Sequence, residues 1–273
     1  MRHRGALAAA RLTRMVRGVE LREGPGGLRL HDEAGVWCAD MRLWDDDGVP
    51  AAGPVVLRPG ASPTAVAVMC IRLLAGRRLD TPDDRLADAL VAQGVTLTRA
   101  ATDLRHDLTD LLPPSLPNGW QLVAGGWDAS LEESLTAAYA DGHPDGTWTP
   151  KASAEVSGMF APDAEVPALA GASARVRGPD VRSYGHVLVA GPVPWRPTRC
   201  GWVLNLAVAP AAQGRGLGRA LLAHALRGTH AAGLPALELS VAAGGPGRRL
   251  YDAAGFEVLA GVLSIPLPGT AAA

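Results

Sequence analysis

Short apolar runs alternate with stretches of helical period along the second half of the chain, while the first half carries the same signals more sparsely. Strand patterns fall at Trp120–Ala124, Ala172–Val176, Tyr184–Ala190, Gly201–Val208 and Ala236–Val241. Helical period falls at Leu131–Ala140 and Arg219–Gly228, and a shorter helix leads into Gly255-Phe256 before a last strand. Residues from Asp141 to about Pro167 read as irregular. In the first half, Gly53 to Leu57 reads as a strand turning at Arg58-Pro59-Gly60. Helices at Thr64–Leu74 and Pro82–Ala92 follow, then Gln93-Gly94 and a strand at Val95–Ala100. The run Pro113-Pro114-Ser115-Leu116-Pro117-Asn118-Gly119 combines the strongest breakers and stops both periods. The order is therefore an N-terminal tail over 1–27, a small α/β domain over 28–112, a proline-rich linker over 113–119 and a larger α/β domain over 120–273.

Composition narrows the class. The 273 residues suit two domains better than one, and 48% hydrophobic content supplies a core for each. Charged residues make up 19% and the net charge is −1, which argues against a nucleic-acid partner held by a basic surface. Cys38, Cys70 and Cys200 are odd in number and lack metal-ligand spacing, and none of the seven histidines pairs with another at such spacing. No metal is expected, and a reduced, cytoplasmic protein is the simplest reading. The apolar run Ala6–Ala10 is too short for a secretory segment, and no stretch approaches the ~20 apolar residues of a membrane helix. The arginines at 2, 4, 11, 14 and 17 read as a frayed amphipathic tail, or as residues upstream of a start near Met15.

Candidate chemistry concentrates between Leu204 and Leu222, where an apolar strand runs into a glycine-rich turn and then a helix. A first helical turn leaves roughly four N–H groups unpaired at the positive end of the helix dipole, so this order forms an anion cradle. Gly214, Gly216 and Gly218 let the backbone turn sharply, and Arg215 and Arg219 can add charge-assisted bonds. The spacing excludes two common nucleotide motifs. A dinucleotide fingerprint would need its third glycine at Arg219 or Leu221, and a phosphate loop would need a lysine, of which Lys151 is the only one. Glu238 lies 20 residues beyond Gly218, near the place of a ribose-binding acid, but inside Leu237-Glu238-Leu239 it reads as a solvated strand position.

Gln213-Gly214-Arg215-Gly216-Leu217-Gly218 resembles the Gln/Arg-x-x-Gly-x-Gly/Ala signature of the GNAT superfamily of acyl-coenzyme A transferases. Downstream, Leu250-Tyr251, three residues and Gly255-Phe256 resemble that family's second helix. The resemblance covers residues 120 to 273 and implies an α/β fold with a mixed, mostly antiparallel sheet flanked by helices. It implies acetyl-coenzyme A as cosubstrate, lying between two splayed parallel strands. Leu206, Ala207 and Val208 would then face the pantetheine, and Gln213, Gly214, Arg215, Gly216, Leu217, Gly218 and Arg219 the pyrophosphate. The activity implied is N-acetyltransfer to a primary amine of a small molecule or peptide by direct attack, with Tyr251 as general acid. Gly244 and Gly247 depart from the asparagine and alanine frequent in the family. No carboxylate stands on Trp202–Leu206, where a general base is often found. Asn205 either holds a water that relays the proton or bonds neighbouring backbone. The alternative activity is a non-catalytic acyl-coenzyme A binder or sensor.

The first half carries a fainter likeness: Leu90-Val91-Ala92-Gln93-Gly94-Val95 aligns without gaps with Tyr251–Phe256. Ala61-Ser62-Pro63 replaces the glycine turn and Leu90 the tyrosine, so this half reads as a shortened, inactive copy of the same fold or as an unrelated small α/β domain. The expected assembly is a monomer with pseudo-dimeric halves or a homodimer. Between 121 and 170 the acids Asp128, Glu132, Glu133, Asp141, Asp145, Glu155, Asp163 and Glu165 face Lys151 alone, an imbalance that would favour a cationic acceptor. His143, Trp148 and Phe160 are candidates for shaping the acceptor pocket.

Overall fold

The structure, a computed structural model, describes residues 14–16, 18–25, 27–46, 48–139, 147–196, 198–243 and 247–269. The chain divides into two compact units, one reaching as far as Asp103 and resuming at Ala260, the other running from Leu104 to Leu259.

The first unit begins with an antiparallel meander: β1 (Arg14–Val16), β2 (Val19–Gly24), β3 (Gly27–His31), β4 (Trp37–Asp46) and β5 (Val49–Leu57). Helix α1 (Pro63–Leu73) then returns the chain to β6 (Arg78–Thr81), which pairs parallel to β5 through Ala51↔Arg78 and Ala52↔Leu79. Helix α2 (Asp84–Ala92) follows and leads to β7 (Arg99–His106). Ser62 and Asp83 cap the two helices by accepting the N–H of Ala65 and Arg85, so each starts where its first unpaired donors find an oxygen. Val19, Leu21, Leu30, Ala39 and Met41 point from alternate strand positions into a core closed by Val66, Cys70, Leu73, Leu86 and Leu90.

In the second unit β8 (Gln121–Ala124) leads to α3 (Ala129–Ala138) and α4 (Pro150–Gly158). The strands β9 (Ala174–Arg177), β10 (Ser183–Ala190) and β11 (Gly201–Val208) continue the antiparallel order from β8. Helix α5 (Leu217–Ala231) joins β11 to the parallel β12 (Leu237–Ala242), and α6 (Arg248–Ala253) precedes β13 (Glu257–Pro266). One sheet face packs Val176, Val187, Val189 and Val203 on Leu217, Leu221 and Leu222 of α5. The other packs Leu188 and Leu204 beneath Leu131 and Leu135 of α3. The fold is thus mixed α/β with a mostly antiparallel sheet flanked by helices.

Both units repeat one order: antiparallel strands, a parallel pair joined by a helix, then a second helix. The ends of α2 and α6 also coincide in geometry. Gly94 and Gly255 take φ +83° and +86°, and the following N–H groups of Val95 and Phe256 reach back to the carbonyls of Leu90 and Tyr251. That is a Schellman closure, which a left-handed glycine allows without strain. Leu90 therefore holds in the first unit the place Tyr251 holds in the second. Among the described residues the first unit has no helix between β1 and β5, where the second unit inserts α3 and α4 between β8 and β9.

Several expectations are corrected. Residues 14–24 are not a tail: Val19 and Leu21 are buried on β2, and a hairpin closes at Gly24↔Gly27. Residues 1–13 lie outside the described residues. The units part inside β7 and β13, not at Pro113–Gly119, because Leu111 and Leu116 pack on the second core and hold that stretch to the second unit. The strand expected at Val95–Ala100 begins at Arg99, and the strands β3, β4 and β6 had no expected counterpart. Helix α4 sits inside the stretch read as irregular, starting where Thr149 accepts the Ala152 N–H ahead of Pro150. Among the described residues no helix is long and apolar enough to cross a membrane.

Candidate active site

Parallel pairing between β11 and β12 is confined to Gly201↔Leu237 and Trp202↔Glu238. Beyond that point β11 keeps β10 on one side as far as Gly185↔Val208, while among the described residues its other edge has no paired strand. A strand edge of this kind offers a row of backbone donors and acceptors to an extended amide ligand. Leu206, Ala207 and Val208, all half-buried, lie on this stretch.

The edge leads straight to the anion cradle. Ala212 packs into the core, and Gln213 anchors the turn by donating Nε2–H to the Val208 carbonyl at 3.0 Å. Gly214 and Gly216 adopt φ +76° and +80°, and a Cβ at either would meet nothing within 4 Å. Backbone sign demands glycine there, and the space beside it is open. Helices α1 to α4 each start on a side-chain cap, whereas α5, the longest, starts on Gly216 with no side-chain cap and no acid in its first turn. Its leading N–H groups are left for an outside anion, with Arg215 and Arg219 exposed alongside. Gly218 and Leu217 begin the helix; a Cβ on Gly218 would come to 3.4 Å from Leu250, which brings α6 against this turn.

Tyr251 lies on α6 with 8% exposure and packs edge-on against Phe256 at 5.7 Å. It joins the apolar cluster on which Leu206, Val208 and Leu250 also pack. Burial pushes its pKa up to about 12, and among the described residues its hydroxyl has no hydrogen-bond partner. Gly247 is close beneath it: a Cβ there would approach Tyr251 Cε2 to 3.3 Å, so an alanine at 247 would crowd the ring. Gly244 lies outside the described residues.

The opposite sheet face holds Asn205. The β10–β11 register shifts between Leu188↔Asn205 and Val189↔Val203, so Leu204 is an extra residue and both Leu204 and Asn205 address the α3 side. Asn205 donates Nδ2–H to the Tyr139 hydroxyl, and its Oδ1 meets His186 Nε2 at 2.5 Å. Side chains hold this amide, rather than neighbouring backbone. His186, on β10, is fully buried, and its Nδ1 lies 2.7 Å from Ser134 Oγ on α3. Burial lowers its pKa to about 4, with the Asn205 bond opposing, so the imidazole is neutral near pH 7 and takes no proton there. His186 had no signal in the sequence: one histidine in an apolar strand reads as any buried polar residue.

Two of the acids expected along the acceptor side are already engaged. Asp128 caps α3 and pairs with the buried Arg175, while Glu155 pairs with Lys151 at 3.9 Å. Trp148 and Phe160 lie on the cluster beneath α3 and α4, with Trp148 5.4 Å from the Tyr139 ring; His143 lies outside the described residues. Glu238 is not solvated but 1% exposed, clamped by Arg105 at 2.8 Å and Arg196 at 2.5 Å. That triad fastens the closed end of the β11–β12 opening and leaves no carboxylate there for a ribose. Among the described residues no three His, Cys, Asp or Glu side chains cluster as metal ligands.

Comparison with known proteins locates this arrangement. Residues 183–258 match the family model described as acetyltransferase (GNAT) domain. The fold is similar to a GCN5-related N-acetyltransferase from Sphaerobacter thermophilus, with TM-score 0.63 and 16% identity over 89% of this chain and 81% of that one. A GCN5-related N-acetyltransferase from Kribbella flavida gives 0.54 and 20% over 86% and 89%. A tandem GNAT protein from the clavulanic acid biosynthesis pathway gives 0.51 and 15% over 90% and 82%. Among curated proteins no sequence matches the chain. At these identities the structural likeness is one of fold, and it extends over both units. From β10 through the glycine turn to the start of β13, this chain carries an acetyltransferase domain of the GNAT family.

Proposed function

We propose that the second unit transfers an acetyl group from acetyl-coenzyme A to a primary amine of a small molecule or peptide. The observation that carries this reading is the one-sided strand edge of β11 ending on the uncapped start of α5. A thioester with an amide-bearing arm and a pyrophosphate fits both features at once: the arm along Leu206, Ala207 and Val208, the pyrophosphate over Gly214 to Arg219, with Gln213 fixing the turn. The amine attacks the thioester carbonyl, the C–N bond forms, the C–S bond breaks, and the enzyme supplies position and proton management.

Tyr251 is the general acid. A phenol near pKa 12 stays protonated at working pH and donates a hydrogen bond to the sulfur as its charge develops, so that the thiolate leaves against that bond and takes its proton from solvent. Asn205 acts on the amine side: its amide has a second N–H and a second lone pair beyond those engaged by Tyr139 and His186, enough to orient a water that carries the amine's proton away.

Thermal unfolding with acetyl-coenzyme A and with NAD separates this from a nucleotide oxidoreductase. Ligand at a hundredfold over Kd stabilises by about 2.7 kcal/mol, so acetyl-coenzyme A should raise Tm and NAD should not. Thiol release across an amine panel then tests turnover. Tight acetyl-coenzyme A binding with no thiol release from any amine would assign a non-catalytic acyl-coenzyme A binder instead. Gly216→Ala places a Cβ at φ +80°, with an expected cost of about 1 kcal/mol in urea unfolding and at least a tenfold rise in acetyl-coenzyme A Kd. Unchanged affinity would remove the turn from the donor site.

A further inference from the structure

The chain Ser134, His186, Asn205, Tyr139 runs from α3 through β10 and β11 to the residue that ends α3. Its direction follows from donor chemistry. Asn205 donates Nδ2–H to the Tyr139 oxygen, so its Oδ1 faces His186, which must donate from Nε2. Nδ1 then carries a lone pair and accepts the Ser134 hydroxyl. Each link fixes the next, and the last one sets the phenol of Tyr139 beside Trp148, whose indole N–H is tied to Ser153 Oγ at 2.8 Å.

We propose that His186 is a positioning residue of the acetyl transfer: by donating from Nε2 it locks the amide of Asn205 in one of its two orientations, and through Asn205 it places Tyr139 and Trp148 on the acceptor side. This rests on the acetyl-transfer reading of the second unit. An asparagine amide is nearly symmetric in shape, and only a partner restricted to donating distinguishes its oxygen from its nitrogen. Imidazole is such a partner as its Nε2–H tautomer, the one that the Asn205 oxygen facing Nε2 requires, with Nδ1 accepting the Ser134 hydroxyl. Without it the Asn205 amide can turn over, which reverses its hydrogen bond with Tyr139 and reorients the phenolic proton. His186 pairs with Ala207 in the ladder, but its ring points to α3, away from the cluster that holds Leu206 and Val208, and the glycine turn is anchored on the Val208 carbonyl rather than on this chain, so donor binding is expected to hold.

Two measurements on the full chain test this. The first compares His186→Gln, whose side-chain amide can still donate near the place of Nε2, with His186→Asn, which keeps a polar group only toward Ser134, and His186→Leu, which keeps neither. Acetyl-coenzyme A Kd and thiol release are read with tyramine, spermidine, glucosamine and a lysine peptide as probe amines. Expected are a Kd within about twofold for all three variants, a kcat/KM for the amine down roughly 10- to 100-fold in Asn and Leu, and recovery to within about threefold in Gln. A Gln variant as poor as Leu, or amine kinetics unchanged in all three, overturns the proposal; so does a loss of acetyl-coenzyme A affinity that matches the loss of rate. The second is the ¹⁵N spectrum of the His186 ring in the wild-type protein, which needs no acceptor. The Nε2–H tautomer with a slowly exchanging proton that disappears in Asn205→Leu is expected, and the Nδ1–H tautomer overturns the proposal. Absence of turnover by the wild type with every amine, alongside the expected tautomer, counts against the acetyl-transfer reading and leaves the geometry standing.

Discussion

Replacing Tyr251 by phenylalanine is expected to lower kcat by about 10²-fold while acetyl-coenzyme A Kd stays within about twofold. The ring packing against Phe256 survives the substitution, and among the described residues the hydroxyl has no partner to lose, so unfolding free energy should hardly change. That separates chemistry from folding. Bond breaking at the thioester leaves charge on sulfur, and the hydroxyl acts where the charge appears. A thiol titrates near 8.5, about 3.5 units below this phenol, so Tyr251 works as a hydrogen-bond donor while charge builds, and complete proton transfer in its resting environment would run uphill. One consequence is read in the pH profile. With a pKa of about 12, Tyr251 remains protonated through pH 10, so activity should show no falling limb from this group between pH 7 and 10. A steady-state rate in Tyr251→Phe equal to that of the wild type would remove Tyr251 from the mechanism.

The stability of the protein should fall by about 3 kcal/mol between pH 6.5 and pH 4 through His186 alone. The sign follows from proton counting. The unfolded chain protonates this histidine near 6.5, whereas the folded one holds it neutral down to about 4. Between those values the unfolded state binds more protons, so acid favours unfolding; above 6.5 both states are neutral and the contribution is complete. Around the ring stand Ser134 and Asn205, which are neutral, and Arg175 on the adjacent strand, itself paired with Asp128. Among the described residues no carboxylate bonds the ring to stabilise its protonated form. Burial also holds His106 and His224 below the ordinary range, adding in the same direction. The His186 share is therefore read as the difference in slope between wild type and His186→Gln in urea titrations from pH 7 to 4. Parallel slopes would mean that the imidazole is not buried as described.

Much of the second unit was legible as pattern. Gly201–Val208, the glycine turn and the helix after it appear where period and breaker residues put them, because strand edge, turn and helix start depend on neighbours within a few positions. Tyr251 and Phe256 were legible for the same reason: a six-residue helix closed by a left-handed glycine is a local event. The meander of the first unit was missed. Its strands mix arginine, tryptophan and acid on one face, with Arg29 and Arg58 each 4.0 Å over Trp37 and Arg78 paired with Asp80, so the apolar alternation is diluted. Helix α4 was announced only by Thr149-Pro150.

Sequence alone determined the donor half of the site: an anion cradle at a helix start, with spacing that excludes two commoner nucleotide motifs and agrees with the matched GNAT domain. Spacing suffices there because the cradle is built from consecutive residues. Tertiary structure decided the rest. It moved Glu238 from a solvated strand face to a buried clamp between Arg105 and Arg196, 133 residues from the first of these. It carried the chain between units through strands rather than at Pro113–Gly119. It also joined Ser134, His186, Asn205 and Tyr139, with bonded partners up to 66 positions apart, into one directed chain of hydrogen bonds. Burial and partner geometry, which set pKa and orientation, belong to the packed sheet and have no trace in the order of residues.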